Sequence, residues 1–285
     1  MLDLAASVVC SVVISTLFKL GVARGYDRIW LITTNYAVAF TLGAVVLGEP
    51  IVMEDTSPAF WTLAFVTGAL FIYTYVVFAW ATGAAGMALA TGVMRLSVAI
   101  PVAVSWLVFA EVPSGRQTLG LGVAAVAFVL LSWTPADEQA RAERGGKALL
   151  ALGVLFVMGG MVDTSLKAFD VLMGDVLPGP AFAVVVYGIA LGFGVLMVAY
   201  RRVKPNQGVI VWGVVLGVFN YGSLFFLLRA LRHPDLTGPV LFPLNSIGVV
   251  LGAALVGVLF WEERLDRKNW IGLAVAGAAL VLIAG

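Results

Sequence analysis

The sequence is poor in the residues on which most enzymes and metalloproteins depend. It has one cysteine, Cys10, so neither an intrachain disulfide nor a cysteine metal cluster can form. It has one histidine, His233, in the turn-like stretch Arg232-His233-Pro234-Asp235, which removes most imidazole chemistry. Only 12% of its 285 residues are charged, against about a quarter in soluble globular proteins. The net charge of +1 gives no electrostatic basis for binding nucleic acid. No H-E-x-x-H, G-x-S-x-G, Walker A or complete G-x-G-x-x-G pattern occurs, so neither an enzyme nor a cofactor is expected.

What remains is apolar. Hydrophobic residues make up 61% of the chain, and the mean hydropathy is +1.04. A disordered chain needs the opposite composition. At about 20 residues per span, the chain has room for about ten crossings of a bilayer. Charge-free runs predict helices over 2–22, 29–48, 58–81, 85–110, 117–134, 148–168, 177–200, 207–229, 236–261 and 268–284. The runs are too long for sheet strands and lack the alternation of outer-membrane barrels. The uncharged stretch 56–94 needs a break, which the glycines of Thr82-Gly83-Ala84-Ala85-Gly86 supply. Met1-Leu2-Asp3 lacks a basic n-region, so the first run reads as a span and not as a cleaved signal.

The chain repeats itself. Ser15-Thr16-Leu17-Phe18-Lys19 matches Asp163-Thr164-Ser165-Leu166-Lys167, and Phe71-Ile72-Tyr73 matches Phe219-Asn220-Tyr221. The stretch from Tyr36 to Gly43 matches Tyr187 to Gly194, and Leu107-Val108-Phe109-Ala110-Glu111 matches Leu259-Phe260-Trp261-Glu262-Glu263. Four matches in order, at nearly constant offset, indicate duplication. The expected halves are 1–134 and 148–285, joined by a polar linker over 135–147. Five spans per half force the second half to enter the membrane from the opposite side, an arrangement common in secondary transporters. The expected fold is therefore an all-α membrane protein with ten transmembrane helices in two inverted five-helix repeats.

Of the 17 Lys and Arg, eleven fall in loops after spans 1, 5, 7 and 9, and only Arg116, Arg229 and Arg232 fall on the other side. The positive-inside rule then puts both termini outside the cytoplasm, in a cell (inner) membrane.

Three cations sit within spans: Lys19, Arg95 and Lys167. An intramembrane charge costs about 2.5–3.5 kcal/mol at a helix centre and asks for a reason. Lys19 and Lys167 occupy equivalent late positions, where they either snorkel to an interface or serve an anionic substrate group. Asp163 lies one turn before Lys167, a spacing suited to an ion pair. Its alternative role is proton or ion coupling, as for carboxylates in pumps and transporters. Arg95 does not deprotonate and needs a carboxylate or a substrate as partner; Asp163 is a candidate for the former.

Asn35, Tyr36, Tyr73, Tyr75, Tyr187, Asn220, Tyr221 and Asn245 add polar groups within spans. Each singly reads as a helix–helix hydrogen-bonding residue. With Trp80, Phe225 and Phe226 they make the lining of a mostly apolar pocket. Pro101 and Pro243 are expected to interrupt spans 4 and 9. Gly188/Gly192, Gly213/Gly217 and Gly248/Gly252 have the spacing of close helix contacts. Glu111, Glu262 and Glu263 end spans and read as interfacial, and His233 as a solvated loop residue. The candidate substrate-binding residues are thus Lys19, Asn35, Tyr36, Tyr73, Arg95, Lys167, Tyr187, Asn220, Tyr221 and Asn245, with Asp163 as the coupling group.

The repeated end-motif, Phe109-Ala110-Glu111 and Trp261-Glu262-Glu263, is followed each time by a short basic-polar turn and a small-residue-rich span near Gly120 or Gly272. With five-plus-five spans and Lys19 late in the first, the chain resembles the drug/metabolite transporter superfamily, EamA type, over essentially its whole length. The resemblance implies a basket-like bundle around a central cavity that exports or exchanges a small metabolite by alternating access. It also implies cytoplasmic termini, where the basic loops predict the opposite. The expected partners are a small-molecule substrate, amino-acid-like or anionic, and the lipid bilayer. A passive channel and a non-transporting membrane scaffold are the rival readings.

Overall fold

The computed structural model describes residues 1–48, 56–132, 136–202, 204–261 and 267–284. Of the described residues, 87% are helical, and no strand occurs among them. The elements are α1 (Leu2–Ala23), α2 (Arg28–Leu47), α3 (Pro58–Ala85), α4 (Met87–Leu96), α5 (Ala99–Leu107), α6 (Gly115–Ser132), α7 (Ala136–Met173), α8 (Gly179–Arg201), α9 (Gln207–Leu231), α10 (Gly238–Trp261) and α11 (Arg267–Ala284). Nine spans among the described residues are long and apolar enough to cross a membrane, with the shorter apolar Gly115–Leu131 besides them. This is the build of a multi-pass membrane protein.

Polar residues set the helix starts. Asp27 accepts hydrogen bonds from the Ile29 and Trp30 amides at 3.0 and 2.9 Å, which caps α2. Asn206 accepts from the Val209 amide at 2.7 Å and caps α9.

Three boundaries differ from the sequence expectation. The chain stays helical through Thr82 and Gly83, and the break falls at Gly86 alone, where φ is 93°. Glycine tolerates helical φ, so only the residue that must turn left-handed ends α3. The helix expected from 148 starts earlier, at Ala136, so the linker stretch 136–147 is itself helical, while Pro135 lies outside the described residues; Ala, Glu, Gln, Arg and Lys there are good helix formers. Pro243 lies inside α10 without ending it. Pro101, by contrast, accompanies a break: α4 stops at Leu96 and α5 starts at Ala99. Proline has no N–H for the Ser97 carbonyl four residues back, and the Ile100 amide bonds that carbonyl instead, at 3.0 Å.

The chain divides into two compact units. Unit 1 is Met1–Ile72 with Ala168–His233, and unit 2 is Tyr73–Lys167 with Pro234–Gly285. Each unit takes helices from both sequence halves, so the compact units and the halves 1–134 and 148–285 divide the chain differently.

In unit 1, α2 packs on α8 and α9, and α1 on α9. A Cβ at Gly213 would lie 2.5 Å from Thr34 Cβ, and one at Gly217 2.6 Å from the Asn35 carbonyl oxygen. Both members of that glycine pair therefore bring α9 backbone-close to α2, as small residues do between membrane helices. Serines tie α1 to α9: Ser7 Oγ donates to the Ser223 carbonyl at 3.0 Å, and Ser11 Oγ lies 2.8 Å from Ser223 Oγ. Phe169 and Phe182 stack at 4.1 Å, with Phe60 edge-on to both.

In unit 2, α6 pairs with α11, and α10 packs on α5, α6 and α11. Ala81, Ala90, Ala151 and Leu155 form an apolar core between α3, α4 and α7. These small side chains let the helices approach closely.

Candidate functional site

The structure distributes the sequence candidates over both units. Lys19, Asn35, Tyr36, Tyr187, Asn220 and Tyr221 belong to unit 1, and Tyr73, Arg95, Asp163, Lys167 and Asn245 to unit 2.

Unit 1 gathers aromatic and amide groups. Tyr187 is fully buried on α8. Its hydroxyl donates to the Asn220 carbonyl oxygen at 2.9 Å, and its ring lies 6.0 Å from Tyr36 and 5.9 Å from Phe71. The Tyr36 and Tyr221 hydroxyls are its electrostatic neighbours. Tyr36 and Asn35 are buried on α2, and Tyr221 on α9 beside Phe225. The Asn35 Oδ1 and Tyr221 hydroxyl oxygen have no hydrogen-bond partner among the described residues. Buried polar atoms nearly always have partners, so these two are open to a ligand or water. Lys19 is exposed near the end of α1.

Unit 2 gathers charge. Arg95 is in the last turn of α4, where the negative end of a helix favours a cation. It and Asp163 of α7 are half-buried and are each other's electrostatic partners. Asp163 is placed by the seat of α7 against the α4–α5 break. A Cβ at Gly159 would lie 2.8 Å from Ser97 Oγ, and one at Gly160 2.8 Å from the Ser97 carbonyl. Asp163 follows one turn later on that backbone-close stretch.

Lys167 has a partner that its spacing did not suggest. It is buried, and its Nζ lies 2.7 Å from Glu111 Oε1, with side-chain exposures of 5% and 19%. Glu111 Oε2 accepts from the Gly238 amide at 2.7 Å, at the start of α10. Sequence reasoning read Glu111 as interfacial and so missed it. The available signal was its place in a repeated apolar-aromatic-acid motif, which a merely solvated glutamate does not require. Its motif counterparts Glu262 and Glu263 lie outside the described residues.

Asn245, on α10, is half-buried, and its Oδ1 also has no hydrogen-bond partner among the described residues. Tyr73 is 40% exposed on α3. No group of three or more His, Cys, Asp or Glu able to hold a metal occurs among the described residues.

Together these features define an all-helical, multi-pass membrane protein with a tyrosine–amide cluster in one unit and an ionic cluster in the other. No family model matches the chain. It is 25% identical over 289 residues to an uncharacterized protein of Haemophilus influenzae, covering 98% of this chain and 96% of that protein. A solved crystal structure shares the fold at a TM-score of 0.75 and 14% identity, covering 98% of this chain and 95% of the other.

Proposed function

We propose that the chain is a secondary transporter of a small organic metabolite, working by alternating access, with ten spans in two inverted repeats of the drug/metabolite transporter kind. The observation that carries this reading is the placing of two half-buried intramembrane charges, Arg95 and Asp163, as electrostatic neighbours beside the α4–α5 break. Broken helices and intramembrane charge pairs recur at transporter substrate sites.

The charge arithmetic narrows the substrate. Three in-span cations pointed to an anion or an amino-acid-like molecule, but Lys167 is balanced by Glu111, and Arg95 faces Asp163. The pair presents one positive and one negative group, which matches a zwitterion better than a net anion. Arg95 takes the substrate carboxylate in bidentate fashion; Asp163 takes the ammonium and exchanges the coupling proton. Within unit 1, Tyr36, Tyr187, Asn220 and Tyr221 gather a few directed polar groups among apolar neighbours, the composition of a small-molecule lining.

Counterflow in proteoliposomes tests this reading. Zwitterionic amino acids are expected to exchange, and Arg95→Ala is expected to abolish the exchange. Equal flux in the variant, or preference for dicarboxylates, sinks the assignment. The Lys and Arg distribution supports termini outside the cytoplasm of an inner-membrane protein, and a terminal reporter active only in the cytoplasm refutes that orientation.

A further inference from the structure

The buried contact of Lys167 with Glu111 belongs to a larger knot. Glu111 joins three elements: its amide donates to the Ser105 carbonyl in α5 at 2.9 Å, one carboxylate oxygen meets Lys167 of α7, and the other accepts from Gly238 of α10. The backbone is bent to bring this about. Ala110 has φ 55°, a left-handed conformation that a residue with a Cβ adopts at a cost. A Cβ on Gly238 would overlap Ser105 Oγ, so α10 approaches only because that residue is glycine.

The position of the knot in the chain is informative. Lys167 is the last residue of unit 2 in α7, and the chain re-enters unit 2 at Pro234, four residues before Gly238. Two of the three arms therefore sit within about one helical turn of a crossover between the units. A buried ion pair is a poor source of net stability compared with apolar packing, and a two-state contact is one of its attested uses.

We propose that the Lys167–Glu111–Gly238 knot is a releasable latch: closed, it fixes α7 at Lys167 and the start of α10, where each adjoins a crossover, and its opening frees both crossovers during transport. This rests on the transport reading. The latch is opened by separating the charges, and Ala110 keeps Glu111 aimed back at its partners when it closes.

The test is hydrogen–deuterium exchange on the full chain in lipid nanodiscs, comparing Glu111→Gln, Lys167→Met and the double variant. Each single variant strands one polar partner, so the double variant keeps the test valid if a single one fails to fold. A latch held by charge predicts about tenfold faster exchange in the last turns of α7 and first turn of α10 of the double variant, with other helices within about twofold. Exchange restored to the parent rate in the double variant makes the contact a structural staple and overturns the proposal. So does a rise spread evenly over all helices. Counterflow is measured on the same preparations. Absent flux in the parent chain with localised exchange intact removes the transport reading alone, and flux with uniform exchange removes the latch alone.

Discussion

The two units handle polarity within the membrane in opposite ways. Unit 1 buries tyrosines and amides: Tyr187 spends its hydroxyl on a backbone carbonyl, and the rings of Tyr36 and Phe71 lie beside it. Its ion pairs Arg201–Asp27, Arg229–Asp3 and Arg232–Asp175 lie at helix ends, with the arginines exposed. Unit 2 carries charge inside, in the Lys167–Glu111 contact and in Arg95 and Asp163, which are electrostatic neighbours. Neutral hydrogen bonds in lipid tolerate small rearrangements cheaply, whereas each buried charge demands its counter-charge. Unit 1 is therefore suited to shape and hydrogen bonding, and unit 2 to binding or switching through charge.

The sharpest way to break that contrast is to strand a charge in unit 2. Arg95→Ala leaves Asp163 without its counter-charge and should destabilise the protein by about 3–5 kcal/mol, read by thermal unfolding in detergent. Arg95→Met with Asp163→Leu should recover most of that loss but no transport. Recovery of both would mean that the pair is only structural. Next comes packing. Gly217→Ala in unit 1 and Gly238→Ala in unit 2 should each cost about 1–3 kcal/mol through overpacking. Only the second should also disturb the Lys167–Glu111 contact, visible as Lys167 becoming reactive to amine reagents.

Smaller effects sharpen the comparison. Tyr187→Phe removes one neutral hydrogen bond, worth about 0.5–1.5 kcal/mol, and should leave exchange in unit 2 helices unchanged. A loss comparable to Arg95→Ala would show that unit 1 is no more forgiving than unit 2. The smallest effect is a gain. Ala110→Gly removes the left-handed penalty on an exposed residue and should raise stability by at most about 1 kcal/mol. A loss would mean that the Ala110 side chain contributes more than its backbone costs.

Much of the helical layout was legible. Charge-free runs placed the spans to within a few residues, because lipid demands a continuous apolar segment for each crossing. The breaks were less so. Gly83 and Gly86 look alike in sequence, as do Pro101 and Pro243, yet one of each pair stays inside a helix. The break at Gly86 follows its positive φ, and at Pro101 the Ser97 carbonyl that proline frees is taken up by the Ile100 amide; neither outcome is written in the residue type. The site residues were legible as types, since an ionic residue in an apolar run announces itself. Their partners were less so: the spacing of Asp163 and Lys167 suggested a bond within one helix and gave no sign that Lys167 also meets Glu111 from another part of the chain.

By itself the sequence determined that the chain is helical, apolar enough to cross a bilayer many times, and sparing with charge. It determined these because composition and run length act locally, residue by residue, against the solvent that surrounds them. Only the tertiary structure decided which helices share a compact unit, which carboxylate answers each buried cation, and that Glu111 turns inward. Those outcomes depend on contacts between residues far apart in the chain, such as Glu111 with Gly238. No local pattern encodes the distance between them.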